Sequence, residues 1–258
     1  MIADSISPGI LKSEDEHRRE ICTAGRWIHS RAFVASTDGN ISVRLDSRRV
    51  LTSPTGIGKG LMFPDDMVIT DLRGRKLAGR REASSELAMH LLIYNRRPDV
   101  HSVVHNHSHS VIPFTVTGEK LRPIVHSSAV IGRDVPVWDP QNSFGDTNLL
   151  IANMEMARDF AGVLAKNRGA LMRGHGCTVT GKSVREAVYA AVYLEVNARL
   201  QLEASRFPPV KYLTDGEVEI IGRRLAEAKP AEGYDRAWNY WCRRAGIEPR
   251  PVGKGEIA

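Results

Sequence analysis

Cysteine is scarce and unpaired in this chain: Cys22, Cys177 and Cys242 are odd in number and form no CxxC spacing. That excludes a disulfide framework and a structural zinc ribbon. It points to a reducing compartment, with the cytoplasm as the expected location. Long apolar runs are missing too, and stretches such as "VIPF" fall far short of a membrane span. The opening "MIADSISPGILKSEDEH" has no basic region followed by an apolar core, so no signal peptide is expected. Aromatics are few, at 6%, and no basic stripe is interleaved with them. Lys and Arg total 36 against 30 Asp and Glu, a net charge of +6, with the arginines in scattered pairs such as Arg18-Arg19 and Arg96-Arg97. Neither nucleic acid nor membrane is an expected partner, and the surplus positive charge favours a small anionic substrate.

A 42% hydrophobic content over 258 residues supports one large core. The expectation is a single domain, 1–258, with residues 1–12 as a loose N-terminal arm. Ser13 with Glu16 announces a first helix, and Ser183 with Glu186 and Thr214 with Glu217 announce two more, each pair spaced as a capping box. "GNISVRL", "RVLTSP", "MVITDLRGRKLAG" with a turn at Gly74, "HSVVHNH" and the two halves of "ALMRGHGCTVTG" read as strands, and "SSELAMHLLIYNRRP" as a helix stopped by Pro98. Without clean βαβ alternation, the expected fold class is α/β. A central mixed, mostly antiparallel sheet would be covered by helices on both faces, a three-layer α/β/α arrangement. Near the end, "YDRAWNYWCRRAG" puts Trp238, Trp241 and Cys242 on one helical face, to pack on the chain's own core or on a partner.

Histidine is concentrated. Of nine, His101, His105, His107 and His109 fall within nine residues at alternate positions. In a strand, residues two apart share a face, so neighbouring imidazoles there can converge on one ion. His175, between glycines in "RGHGC", supplies a third ring in a turn that allows unusual backbone angles and close approach. Three histidines leave coordination positions open, as a catalytic metal site requires. Glu86, just before the histidine strand, is the candidate acid/base, unless it pairs with His90 four residues on. Ser84 and Ser85 beside it stand at an expected helix start, where N–H groups favour an anion. "DGNIS" and "SPTGIGKG" are two further small-polar turns suited to the same task.

Taken in order, "GNIS", "SPTG", "SSE", "VVHNH" and "GHG" resemble the class II aldolase/adducin family from about residue 15 to 205. That resemblance implies a divalent metal, zinc or manganese, on His105, His107 and His175, with Glu86 as the acid/base residue. It implies that Asn40, Thr55, Gly56, Ser84 and Ser85 lie where the sugar-phosphate enzymes hold phosphate. It further implies a homotetramer with interfacial active sites, making residues from about 230 to 258 a C-terminal interface segment. His109, His126, Arg173 and Tyr234 become candidates for outer or neighbour-supplied roles.

One position departs from the sugar-phosphate aldolases. Their catalytic tyrosine after a histidine is replaced by Ser127 in "RPIVHSSAVIG", and serine is no substitute for a phenol as proton donor. The second half looks more like the family's metal-dependent decarboxylases of hydroxylated aromatic or heteroaromatic carboxylates. The expected activity is a metal-dependent carbon–carbon lyase leaning to decarboxylation. Cleavage of a phosphorylated ketose is the alternative, and 4-epimerase or non-catalytic scaffold roles stand behind it.

Overall fold

The expected strands and helices form where alternation and capping place them. In the computed structural model, which describes residues 12–31, 33, 37–229 and 232–246, helix α1 (Glu14–Ser30) opens with the reciprocal Ser13/Glu16 box. Strands β1 (Asn40–Arg44), β2 (Arg49–Thr52), β3 (Val68–Asp71) and β4 (Lys76–Ala78) follow, then α2 (Leu87–Arg96), β5 (Ser102–Asn106) and the short α3 (Ile112–Val116). After β6 (Val137–Trp138), α4 (Gln141–Phe144) and α5 (Met154–Leu164), the hairpin β7 (Gly169–Met172) and β8 (Gly176–Gly181) leads to α6 (Val184–Ala204), α7 (Asp215–Ala226) and α8 (Gly233–Arg244). The expected loose arm lies outside the described residues except for Lys12, whose Nζ is 2.6 Å from Glu20 Oε1.

All eight strands join one sheet in the order β4-β3-β2-β1-β5-β8-β7-β6. Every pairing is antiparallel except β6 with β7, so the sheet is mixed and mostly antiparallel. β5 is central, and its consecutive valines are buried on opposite faces. Val104 joins the core built with α1, α6 and α8, including Ile21, Val188 and Trp241. Val103 joins the core built with α2 and α5, including Met89, Ile93 and Phe160. Helices on both faces complete the three layers. His105, two residues after Val103, shares the face covered by α2.

The aromatic face of α8 is consumed within the chain. Trp238, Trp241 and Cys242 are buried, and Trp241 stacks on Trp27 with centroids 5.5 Å apart. Arg185 fixes the same helix, donating from Nε to Glu20 at 2.9 Å and from Nη1 to Asp235 at 2.7 Å. Of the two packings open to this segment, the tryptophans take the chain's own core. Trp241→Ala therefore removes a stacked, buried ring, and unfolding free energy is expected to fall by about 3–5 kcal/mol. A denaturant midpoint unchanged from the parent protein would show that α8 contributes nothing to the core.

Candidate metal centre

The site forms at one end of the central strands. His105 is the fourth residue of β5, and His107 lies just past the strand's end, where its N–H donates to Phe33 O at 3.1 Å. His175 occupies the β7–β8 turn. Both flanking glycines are required there. Gly174 has φ +61°, and a Cβ on Gly176 would sit 2.3 Å from Asn106 O. The close approach brings the turn against the histidine strand. Nε2 of His107 is 3.1 Å from that of His105 and 3.0 Å from that of His175.

The tautomers follow from the outer nitrogens. His105 Nδ1 lies 3.0 Å from Cys177 O, and His175 Nδ1 lies 3.1 Å from Leu149 O. A carbonyl only accepts, so both Nδ1 atoms carry the proton and both Nε2 atoms present lone pairs. Leu149 reaches this position in the left-handed region, with φ +64°, a strained conformation for a leucine. Burial, with repulsion from neighbouring rings, lowers His175 and takes His107 down to about 4. His107 and His175 are thus neutral at neutral pH, the form that ligates.

Glu86 completes the cluster. Its carboxylate lies 3.3 Å from His105 Nε2 and 3.8 Å from His175 Nε2, and one candidate ligand atom from each of Glu86, His105, His107 and His175 falls within 4.8 Å of the other three. Burial raises its pKa, but the surrounding imidazoles outweigh that and carry it to about 2. The contest with His90 is resolved, because His90 Nδ1 instead meets Ser42 Oγ at 2.7 Å. Glu86 Oε1 is buried without a hydrogen-bond partner. Converging lone pairs, an anionic carboxylate and an orphaned oxygen are together short of positive charge, and the donor set fits a divalent cation. Nitrogen spacings near 3 Å suit ligands about 2.0–2.2 Å from one ion.

The small-polar turns gather beside this cluster. Asn40 pairs with His105 in the sheet, and its Nδ2 donates to Ser84 Oγ at 3.1 Å. Pro54 bridges Ala83, and Thr55 N donates to Glu82 O at 3.0 Å, which sets the Thr55–Gly56 turn along the segment carrying Ser84 and Ser85. The α2 helix begins at Leu87, with Glu86 as its N-cap, rather than at the serines. The extended bridge at Ala83 delays it, and Ser84 supplies the acceptors for the N–H groups of Glu86 and Leu87.

Other candidates are not in the cluster. His101 lies before β5, at the strand's opposite end, and His109 is exposed on a 3₁₀ turn. Arg173 is committed to Asp139 at 2.6 Å. His126 lines a groove of about 820 Å³ with residues of α7 and α8, and Ser127 shares a side-chain hydrogen bond with Tyr189. Tyr234 packs edge-on against Tyr189 at 5.0 Å. Leu149, whose carbonyl orients His175, escapes the sequence reading, since nothing in "TNLL" announces a left-handed leucine.

A family model for the Class II Aldolase and Adducin N-terminal domain matches residues 19–202. Decarboxylase tropJ of Talaromyces stipitatus is 33% identical over 178 residues, covering 61% of this chain and 66% of that protein. The 5-deoxy-D-ribulose 1-phosphate aldolase of Bacillus thuringiensis serovar kurstaki is 30% identical over 220 residues, covering 85% of this chain and 97% of that one. The crystal structure of YgbL from Klebsiella pneumoniae, an aldolase/epimerase/decarboxylase candidate, superposes with a TM-score of 0.71 at 27% identity, over 81% of this chain and 99% of that one.

Proposed function

This chain belongs to the class II aldolase and adducin family, and from that premise we propose that it is a divalent-metal-dependent carbon–carbon lyase that decarboxylates a small hydroxylated aromatic, heteroaromatic or oxo carboxylate. Three imidazoles converging beside the Glu86 carboxylate carry the reading. His105, His107 and His175 are the metal ligands. Bound there, a zinc or manganese ion supplies Lewis acidity that stabilises negative charge developing on a substrate oxygen. Glu86, ionised and buried, takes a proton from a substrate hydroxyl. As the carboxylate leaves as carbon dioxide, the same residue returns a proton to the carbon that carried it. Asn40, Thr55, Gly56, Ser84 and Ser85 form the cradle for the substrate's anionic end. His105 and His175 keep their orientation through the carbonyls of Cys177 and Leu149.

Ser127 tips the balance towards decarboxylation. It stands where the sugar-phosphate aldolases place their phenol, and here it is bonded to Tyr189. The decarboxylase relative supports the same direction. Cleavage of a phosphorylated ketose is the second reading, favoured by the aldolase relative matched along 97% of its length. Assembly as a homotetramer with sites at subunit interfaces accompanies either chemistry. Among the described residues no helix is long and apolar enough to cross a membrane.

The two reactions separate on their products. With metal-loaded protein, carbon dioxide release from a panel of hydroxy-aryl and oxo carboxylates is expected to exceed release of dihydroxyacetone phosphate from ketose 1-phosphates. Rapid ketose cleavage with no carbon dioxide from any acid would transfer the assignment to the aldolase.

A further inference from the structure

Lys59, in the "SPTGIGKG" turn, is a charged residue left unused by the chemistry above. It is 2% exposed. Its backbone is pressed against α1, where a Cβ on Gly25 would come within 2.6 Å of Lys59 O. Its side chain spans two loops: Nζ donates to Thr37 O at 2.9 Å and to Ile57 O at 3.2 Å. Thr37 is three residues before Asn40, and Ile57 directly follows Gly56. A single ammonium thus ties together the two loops that present Asn40, Thr55 and Gly56.

Its electrostatics are unusual for a lysine. Among the described residues no carboxylate lies within ion-pair distance of Nζ, and both acceptors are neutral carbonyls. Burial lowers its pKa to about 8, with Asp38 pulling the other way. The cation is present at neutral pH but poorly compensated, and a buried charge in that condition is costly until an anion approaches. Asp38, the residue after Thr37, acts electrostatically on the lysine and on His107 and His175 alike.

We infer that Lys59 is a positioning residue for the substrate cradle, fixing the spacing of its two loops and supplying the positive charge that selects an anionic group, with Asp38 tempering that charge. This rests on the cradle assigned above. Lysine serves where a neutral residue of similar length would not, because removing the charge removes both carbonyl anchors and the attraction for an anion.

The test is titration of metal-loaded protein with inorganic phosphate at neutral pH, with metal content and thermal unfolding measured for every variant. Lys59→Met is expected to weaken phosphate binding roughly tenfold or more, as loss of a buried unit charge together with both loop anchors would. Lys59→Arg is expected to recover part of the loss. Asp38→Asn, which leaves the lysine's anchors in place, is expected to tighten phosphate several-fold, an effect in the direction opposite to structural damage. Should Lys59→Met fail to fold, Asp38→Asn decides the matter: unchanged or weaker binding overturns the inference. Ser84→Ala separates the two layers of the reading. If it weakens phosphate while Lys59→Met does not, the cradle stands and the role of Lys59 falls. Absence of phosphate binding by the parent protein removes both.

Discussion

Glu86→Gln is expected to lower turnover by about 10²–10⁴-fold while the bound metal remains. Glutamine keeps the size of the side chain and one carbonyl oxygen, but it cannot accept and return a proton. Few residues nearby can take over. His90 is committed to Ser42, and burial takes its pKa down to about 3, so it has no proton to lend at neutral pH. The three imidazoles of the cluster are ligands in this reading. Retention of metal follows because His105, His107 and His175 supply its nitrogens without help from the carboxylate. Elemental analysis alongside single-turnover kinetics checks both halves. A variant that loses its metal would make Glu86 a ligand, and one that turns over normally would make it only the cap of α2.

The residues that cluster around His107 are legible in the sequence because each leaves a local mark. The β-branched pair Val103-Val104 followed by histidines at every second position announces the strand and its parity, and glycines on both sides of His175 announce a turn that something approaches closely. What stayed hidden depends on contacts distant in the chain. The sequence places His105, His107 and His109 on equal terms. The choice between them comes from where β5 ends, since His107 closes onto the site beyond Asn106 and His109 is carried away on the following turn. The box expected at Ser183 forms only in half. Ser183 caps Glu186 N, but the Glu186 carboxylate goes to Lys182 N and to Arg168, 2.6 Å away.

Helix α5 carries a local signal of its own. Asn153 caps it, and Met156, Ala157, Phe160, Ala161 and Leu164 recur at helical spacing. Strand β6, at two residues, is too short for any periodicity, and it exists because β7 offers it a parallel edge. Lys59 lies between two glycines in a polar turn, with no apolar periodicity around it. Its burial comes from α1 packing over the turn, which no local pattern records.

His107→Ala should be the more severe change, with metal affinity expected to fall by more than the roughly 10–100-fold that loss of an outer hydrogen-bond partner costs. His107 is the hinge of the cluster, since its Nε2 is the atom within 3.1 Å of both other rings. Without it, two lone pairs and a carboxylate remain on one side and nothing closes the other. Activity should vanish with the metal and should not return at ordinary metal concentrations, whereas parent protein stripped by a chelator should recover on adding zinc or manganese. His101→Ala and His109→Ala are the controls. The first lies at the far end of β5 and the second faces solvent, so both should keep metal and activity. The pH dependence carries a definite sign. A proton and a metal compete for the same nitrogen, and burial with the neighbouring rings has lowered His107 to about 4. The parent protein should therefore hold its metal as pH falls through the ordinary imidazole range near 6.5 and release it only as pH approaches about 4. Metal loss already complete at pH 6, or full retention by His107→Ala, would remove His107 from the ligand set.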